Sequence, residues 1–158
     1  MPIGMTFAVA ASLPIIYCTA YQALVESARL QKGETVLIHE ASGSVGQAAI
    51  IIAKGIDADI FATVTSSQAK LHLMEVYGIP EGHIFSSRDI HFAQGILRVT
   101  GGNGVNVLLN SLAGEARQQS WLCLSRFGRF VELGQRDIGK FPSPQKVYEI
   151  VHNTLTQT

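Results

Sequence analysis

Charge is scarce in this chain. Asp, Glu, Lys and Arg make up only 15% of its 158 residues, against roughly 25% in an average domain. Twelve basic residues balance twelve acidic ones, so the formal net charge is zero. A nucleic-acid binder normally carries a basic stripe, and none is present. Cysteine is scarcer still, with Cys18 and Cys123 alone. Two thiols build neither a disulfide framework nor a cysteine-rich zinc site. No basic segment precedes the apolar residues 5–21, so this stretch is not expected to act as a secretory signal. That stretch is interrupted by Ser12, Pro14 and Thr19. It is too short and too broken for a membrane span of roughly 20 apolar residues. A reducing, cytoplasmic setting is the expectation. What the chain has in quantity is apolar surface: 47% of it is hydrophobic, enough to build a core and too much for intrinsic disorder. Its length suits one domain.

Strand and helix patterns alternate along the chain. Ser12 reads as a helix N-cap with Pro14 in the first turn. The helix then runs to about residue 28–30, with Ile16, Ala20, Ala23, Leu24 and Ala28 on one face. Residues 35–39 form a short apolar run of the kind found in buried parallel strands. A Gly/Ser segment follows, then a helix from Gln47 to about Lys54. Strands are expected at 59–65, 83–85, 105–110 and 128–134, and helices at 67–77, 92–99 and 115–124. A last helix is expected over 145–153. This alternation predicts an α/β fold of the Rossmann type. It has three αβα layers around a parallel sheet of strand order 3-2-1-4-5, with room for a short sixth strand.

The Gly/Ser segment carries the clearest functional signal. Ala41, Gly43 and Gly46 match the spacing of G-x-G-x-x-G, with alanine in the first place. Alone this pattern is weak. Here a strand ends just before it and a helix opens on it, as a dinucleotide site requires. Gly43 lets the backbone approach a pyrophosphate, and Gly46 lets the helix pack close to the strand. The N–H groups of Ser44, Val45 and Gly46 would then face the phosphates. The competing reading is a tight turn that holds no ligand.

An NAD site usually has Asp or Glu about 20 residues further on, at the end of the second strand. That position is Ser66, and the acids Asp57 and Asp59 lie at the opposite end of the strand. Ser66 can hydrogen-bond a 2′-phosphate, and Lys70 can add a positive charge one turn later. NADPH is therefore the expected cofactor. Asn110 and Ser111 end the fourth strand, where ligands gather in open parallel sheets. They could bond the cofactor or cap the next helix.

Several segments together resemble the medium-chain dehydrogenase/reductase superfamily. They are Thr19-Ala20-Tyr21-x-Ala23-Leu24 and Val36-Leu37-Ile38-His39 leading into Gly43-Ser44-Val45-Gly46-Gln47-Ala48-Ala49. Ile84-Phe85-Ser86-Ser87-Arg88-Asp89, the run from Val107 to Glu115, and Gly128-Arg129-Phe130-Val131-Glu132-Leu133-Gly134 sharpen the match. They are similar to the enoyl reductase domain of iterative polyketide synthases of the fungal highly reducing type, over residues 5–138. The resemblance implies NADPH-dependent reduction of a trans-2-enoyl thioester carried on an acyl carrier protein, without a metal. It implies that Thr19 lies near the nicotinamide and that Gly43 to Gly46, with Ala41, hold the pyrophosphate. Ser66 and Lys70 would hold the 2′-phosphate, while Asn110, Ser111, Leu112 and Gly134 line the nicotinamide and ribose. Other synthase domains are the implied partners.

This chain departs from the family pattern in three places. Ser44 replaces a second glycine, which matters only if that residue needs a positive φ. Ala69-Lys70 replaces a Lys-Arg pair. Gln135 stands where the family carries a lysine that could donate a proton, and an amide is no general acid near neutral pH. No catalytic residue is assigned. Residues 1–138 are expected to be the cofactor domain. A linker and helix are expected over 139–158, with the N-terminal substrate domain absent. The isolated chain is then expected to bind NADPH and catalyse little. Two rival readings are a quinone-oxidoreductase-like enzyme completed by a partner chain, and a non-catalytic NADPH-binding module. An uncovered docking face would also promote self-association.

Other residues have plainer readings. His39 is expected to be a satisfied core histidine. Tyr17 and Tyr21 are expected to pack, and Cys123 to be buried. Cys18 reads as a small hydrophobe beside Thr19. Arg88 and Asp89 would either pair or touch the adenosine.

Overall fold

The computed structural model describes residues 7–133 and 150–152. Helix α1 (Phe7–Tyr21) continues as a π-helical turn over Gln22–Ser27. It begins before Ser12, which is therefore no N-cap, and Pro14 lies inside it. Alanine is the strongest helix former, and Ala8, Ala10 and Ala11 carry the helix past the missing Pro14 N–H. Then follow β1 (Thr35–Ile38), α2 (Ser44–Ile56), β2 (Asp59–Val64), α3 (Ser67–Tyr77) and β3 (Ile84–Ser86). Next come α4 (Phe92–Val99), β4 (Val105–Asn110), α5 (Gly114–Leu122), β5 (Leu124–Glu132) and β6 (Ile150–His152).

The strands form one sheet in the order β3-β2-β1-β4-β5-β6. β1 to β5 are parallel. The expected Rossmann order is thus present, and β6 closes the edge antiparallel to β5. The expected helix over 145–153 is corrected at 150–152. The open edge of β5 offers unpaired N–H and C=O groups, and β-branched Ile150 and Val151 suit a strand. Residues 145–149 and the expected linker lie outside the described residues.

Each sheet face buries its own core, which explains the continuous apolar runs. Val36 and Ile38 of β1 pack with Ala20, Ala49, Ala53 and Leu73, beneath α1, α2 and α3. Leu37 points the other way, toward Phe92, Ile96, Leu108 and Phe130 beneath α4. Burying one such leucine or isoleucine contributes roughly 1.5–3 kcal/mol.

β5 starts at Leu124 rather than Gly128, and α5 ends at Leu122 rather than 124. The cause is an irregularity in the β4–β5 pairing. Val105 pairs with Leu124, but Val107 pairs with Arg129. The extra residues include Phe127, which adopts φ 62°. A Cβ at Gly128 would lie 2.6 Å from Leu124 Cγ. Gly128 therefore marks the kink inside the strand, not its start.

Candidate functional site

The parallel strands point their carboxyl ends to one edge of the sheet, and the turns after β1, β2 and β4 meet there. After β1, His39 N–H donates to Leu109 O at 3.1 Å and Ala41 N–H to Thr63 O at 3.0 Å. The chain then turns sharply. Glu40 takes a left-handed φ of 50°, and Gly43 N–H donates back to its carbonyl at 2.9 Å. Gly43 is the N-cap of α2, with φ −72° and no side chain to cap with. Gln47 N–H bonds Gly43 O at 2.9 Å. The earlier amides of Ser44, Val45 and Gly46 belong to the first helical turn, where no intrahelical carbonyl reaches them.

Side-chain space is closed at Gly46 and tight at Gly43. A Cβ on Gly46 would lie 2.6 Å from Ala41 Cα and 2.7 Å from Glu40 O. A Cβ on Gly43 would lie 3.2 Å from Glu40 O. Ala41 is fully buried. Ser44 is helical, so the position does not need a second glycine. Open amides, the positive end of a helix and a bare backbone suit a diphosphate.

Ser66 follows β2 and N-caps α3, its Oγ accepting from Ala69 N–H at 3.2 Å. Its hydroxyl hydrogen remains to donate. Lys70 stands one turn later and pairs with Glu81 at 3.1 Å. Asp59 pairs in register with Thr35 at the amino end of the strands. It is thus at the far end from Ser66, and β2 ends without a carboxylate.

Asn110 ends β4 and is fully buried. Its amide nitrogen donates to Leu112 O at 2.7 Å and to Glu132 Oε2 at 2.8 Å. Leu112 N–H reaches Asn110 Oδ1 at 3.3 Å. The Asn110 side chain therefore shapes the loop instead of capping α5. Ser111 Oγ donates to Glu40 Oε2 at 3.0 Å, tying this loop to the phosphate turn. Arg117 Nε of α5 lies 3.0 Å from Glu132 Oε2. Sequence reading missed Glu40, Arg117 and Glu132. A carboxylate inside the apolar run Phe130-Val131-Glu132-Leu133 was the available signal, since a buried charge must be paired.

Thr19 is half-buried on α1 beside fully buried Ala20. Gly134, Gln135, Arg136 and Asp137 lie outside the described residues. His39 is buried, with ring nitrogens 2.9 Å from Thr63 Oγ1 and 2.8 Å from Ser120 Oγ. It is a satisfied core histidine, and burial pushes its pKa down to about 3. Cys123 is buried, and burial pushes its thiol up to about 12. Cys18 is exposed, as are Tyr17 and Tyr21, so the packing expected of the two tyrosines is not found. Their face of α1 points away from the sheet core. Asp89 Oδ1 accepts from His91 N–H at 2.9 Å at the start of α4.

The profile of the zinc-binding dehydrogenase family matches residues 44–156. The nucleotide-binding subdomain of the enoylreductase domain of PpsC from Mycobacterium tuberculosis is 47% identical in sequence, with a TM-score of 0.72. The match covers 78% of this chain and 68% of that one. This chain belongs to the zinc-binding dehydrogenase family, among its polyketide synthase enoyl reductases. The CurK enoyl reductase aligns with a TM-score of 0.79 and 46% identity, over 86% of this chain and 40% of that one. A highly reducing polyketide synthase of Penicillium oxalicum is 56% identical over 138 residues, 87% of this chain. The chain spans 6% of the length of that curated relative. The family's name carries zinc, but no group of three His, Cys, Asp or Glu is placed to hold a metal among the described residues. No helix among them is long and apolar enough to cross a membrane. The chain presents its glycine turn, Ser66 and the 110–112 loop on one edge of the sheet.

Proposed function

We propose that this chain is the NADPH-binding half of an enoyl reductase within a polyketide synthase. The substrate of the whole enzyme is a trans-2-enoyl thioester on an acyl carrier protein. The observation that carries the reading is the α2 N-terminus, bare of side chains at Gly43 and Gly46, with a Cβ at Gly46 set 2.6 Å from backbone. Ser44, Val45 and Gly46 amides bind the pyrophosphate there, aided by the helix dipole. Ser66 Oγ donates to the 2′-phosphate, and Lys70 leaves its surface pair with Glu81 to join it. Such an exposed pair is worth only ~0–1 kcal/mol, so the exchange costs little. In this reading Ser111, Leu112 and Gly134 line the ribose and nicotinamide region, and Thr19 lies near the nicotinamide. Bound NADPH supplies the hydride for the β-carbon.

Gln135 cannot supply the proton for the α-carbon. That substitution favours a second reading, a module that binds NADPH without catalysis. Replacing it in the full reductase, Gln135→Lys, separates the two. A decayed enzyme gains enoyl reduction markedly, whereas no gain means that the proton has another source.

Paired calorimetric titration with NADPH and NADH tests the cofactor assignment. The expected result is NADPH binding at least about tenfold tighter, equivalent to ~1.4 kcal/mol. Equal affinity would remove Ser66 and Lys70 from the site. No binding of either would leave the glycine motif as a turn without a ligand.

A further inference from the structure

The loop between β4 and α5 is held from three sides, and the strongest hold is a buried carboxylate. Glu132 is buried at the end of β5. Its Oε2 accepts from Asn110 Nδ2 at 2.8 Å and lies 3.0 Å from Arg117 Nε of α5. The same Asn110 nitrogen donates to Leu112 O at 2.7 Å, and Asn110 Oδ1 receives Leu112 N–H. The backbone of Leu112 is thus fixed at both its N–H and its C=O by one side chain, and Glu132 fixes that side chain. Leu133 N–H also donates to Asn110 O at 2.8 Å, so β4 and β5 stay joined up to the loop. On the other side, Ser111 Oγ bonds Glu40, whose left-handed backbone opens the phosphate turn.

We infer that Glu132 is a positioning residue that locks the 111–113 loop, and with it the nicotinamide end of the site, to β5. The inference rests on the cofactor reading above. Removing the carboxylate is costly, because the Asn110 amide loses an acceptor and Arg117 loses the opposite charge beside it. Removing Glu132 frees the loop to shift by rotation of Asn110. The α2 N-terminus and Ser66 are built from other elements and keep their geometry. The loss should therefore fall on contacts to the nicotinamide and not on contacts to the phosphates.

Two ligands separate those ends. NADPH carries the nicotinamide, and 2′-phospho-ADP-ribose carries every phosphate without it. Both are titrated by calorimetry into the wild-type chain, Glu132→Ala and Glu132→Gln, with nicotinamide fluorescence recorded for the NADPH arm. In Glu132→Ala, NADPH affinity should fall about tenfold, nicotinamide emission should change, and 2′-phospho-ADP-ribose affinity should stay within about twofold. Glu132→Gln keeps an acceptor for Asn110 and should recover part of the loss. It also carries the test if the alanine variant does not fold. An equal fall for both ligands would make Glu132 merely structural, and no change for either would also overturn the inference. Failure of the wild-type chain to bind either ligand would overturn the cofactor reading, and this inference with it.

Discussion

Gly46 shows how little tolerance the phosphate turn has. Most of the described glycines face open space or flexible side chains, but a methyl group here would meet Ala41 Cα and Glu40 O, which are backbone. Neither can move without displacing β1 from α2. Gly46→Ala should therefore lower stability by about 1–3 kcal/mol by overpacking. It should also remove NADPH binding, because the first-turn amides move with the helix. Thermal denaturation and a titration of the variant check both. His39 is the converse case of a residue whose suggestive position has a structural explanation. It links β1 to Thr63 of β2 and Ser120 of α5, and its ring packs edge-on to Phe92 at 5.1 Å.

At the scale of elements, β5 carries the local strain. Phe127 holds φ 62° while its side chain is 65% exposed, and its visible support is Arg126 at 5.3 Å from the ring. A left-handed residue with a Cβ costs about 1–2 kcal/mol, and a glycine gives back part of that in unfolded-chain entropy. Phe127→Gly should thus raise the unfolding free energy by roughly 0.5 kcal/mol, read by urea denaturation. A fall would show that the ring does more than its exposure implies. Helix α1 poses a different question. Ile15 is 75% exposed and Tyr21 50% exposed, with Cys18 exposed between them. Such an apolar face promotes association. Sedimentation velocity at high concentration should show self-association that Ile15→Lys reduces, and a clean monomer for the parent chain would contradict this.

At the scale of the whole molecule, acid stability follows from His39 and Glu34. His39 has a folded pKa of about 3, against 6.5 for the free side chain. The unfolded chain therefore binds a proton that the folded chain refuses. Stability is full above about pH 6.5 and falls on acidification toward pH 3, by up to ~1.4 kcal/mol per pH unit. Burial raises the Glu34 pKa, but the Arg129 hydrogen bond, the Gln31 N–H and the Arg129 charge outweigh it, leaving it lowered. Its contribution is present above the unfolded carboxylate pKa and is lost as pH falls through the folded one. Denaturation midpoints from pH 8 to 4 should decline first with the histidine. His39→Asn should flatten the slope between pH 6.5 and 5, and an unchanged slope would assign it to other groups.

Sequence by itself determined the alternation of elements, the strand order, the glycine turn and the lack of an acid after β2. Each of these is written in local periodicity or in spacing along a few residues. Helix α3 and strand β4 fall where the pattern places them, at Ser67–Tyr77 and Val105–Asn110. Only the tertiary structure decided that Ile150–His152 is a strand, because the vacant edge of β5 outweighs helical periodicity. Only it paired Lys70 with Glu81 and placed Ser111 on Glu40. The same holds for Asn110, Arg117 and Glu132, which lie on three different elements and meet because parallel strands bring their carboxyl ends together. Their chemistry depends on burial and on distances across the sheet, and neither is encoded in any stretch of neighbouring residues.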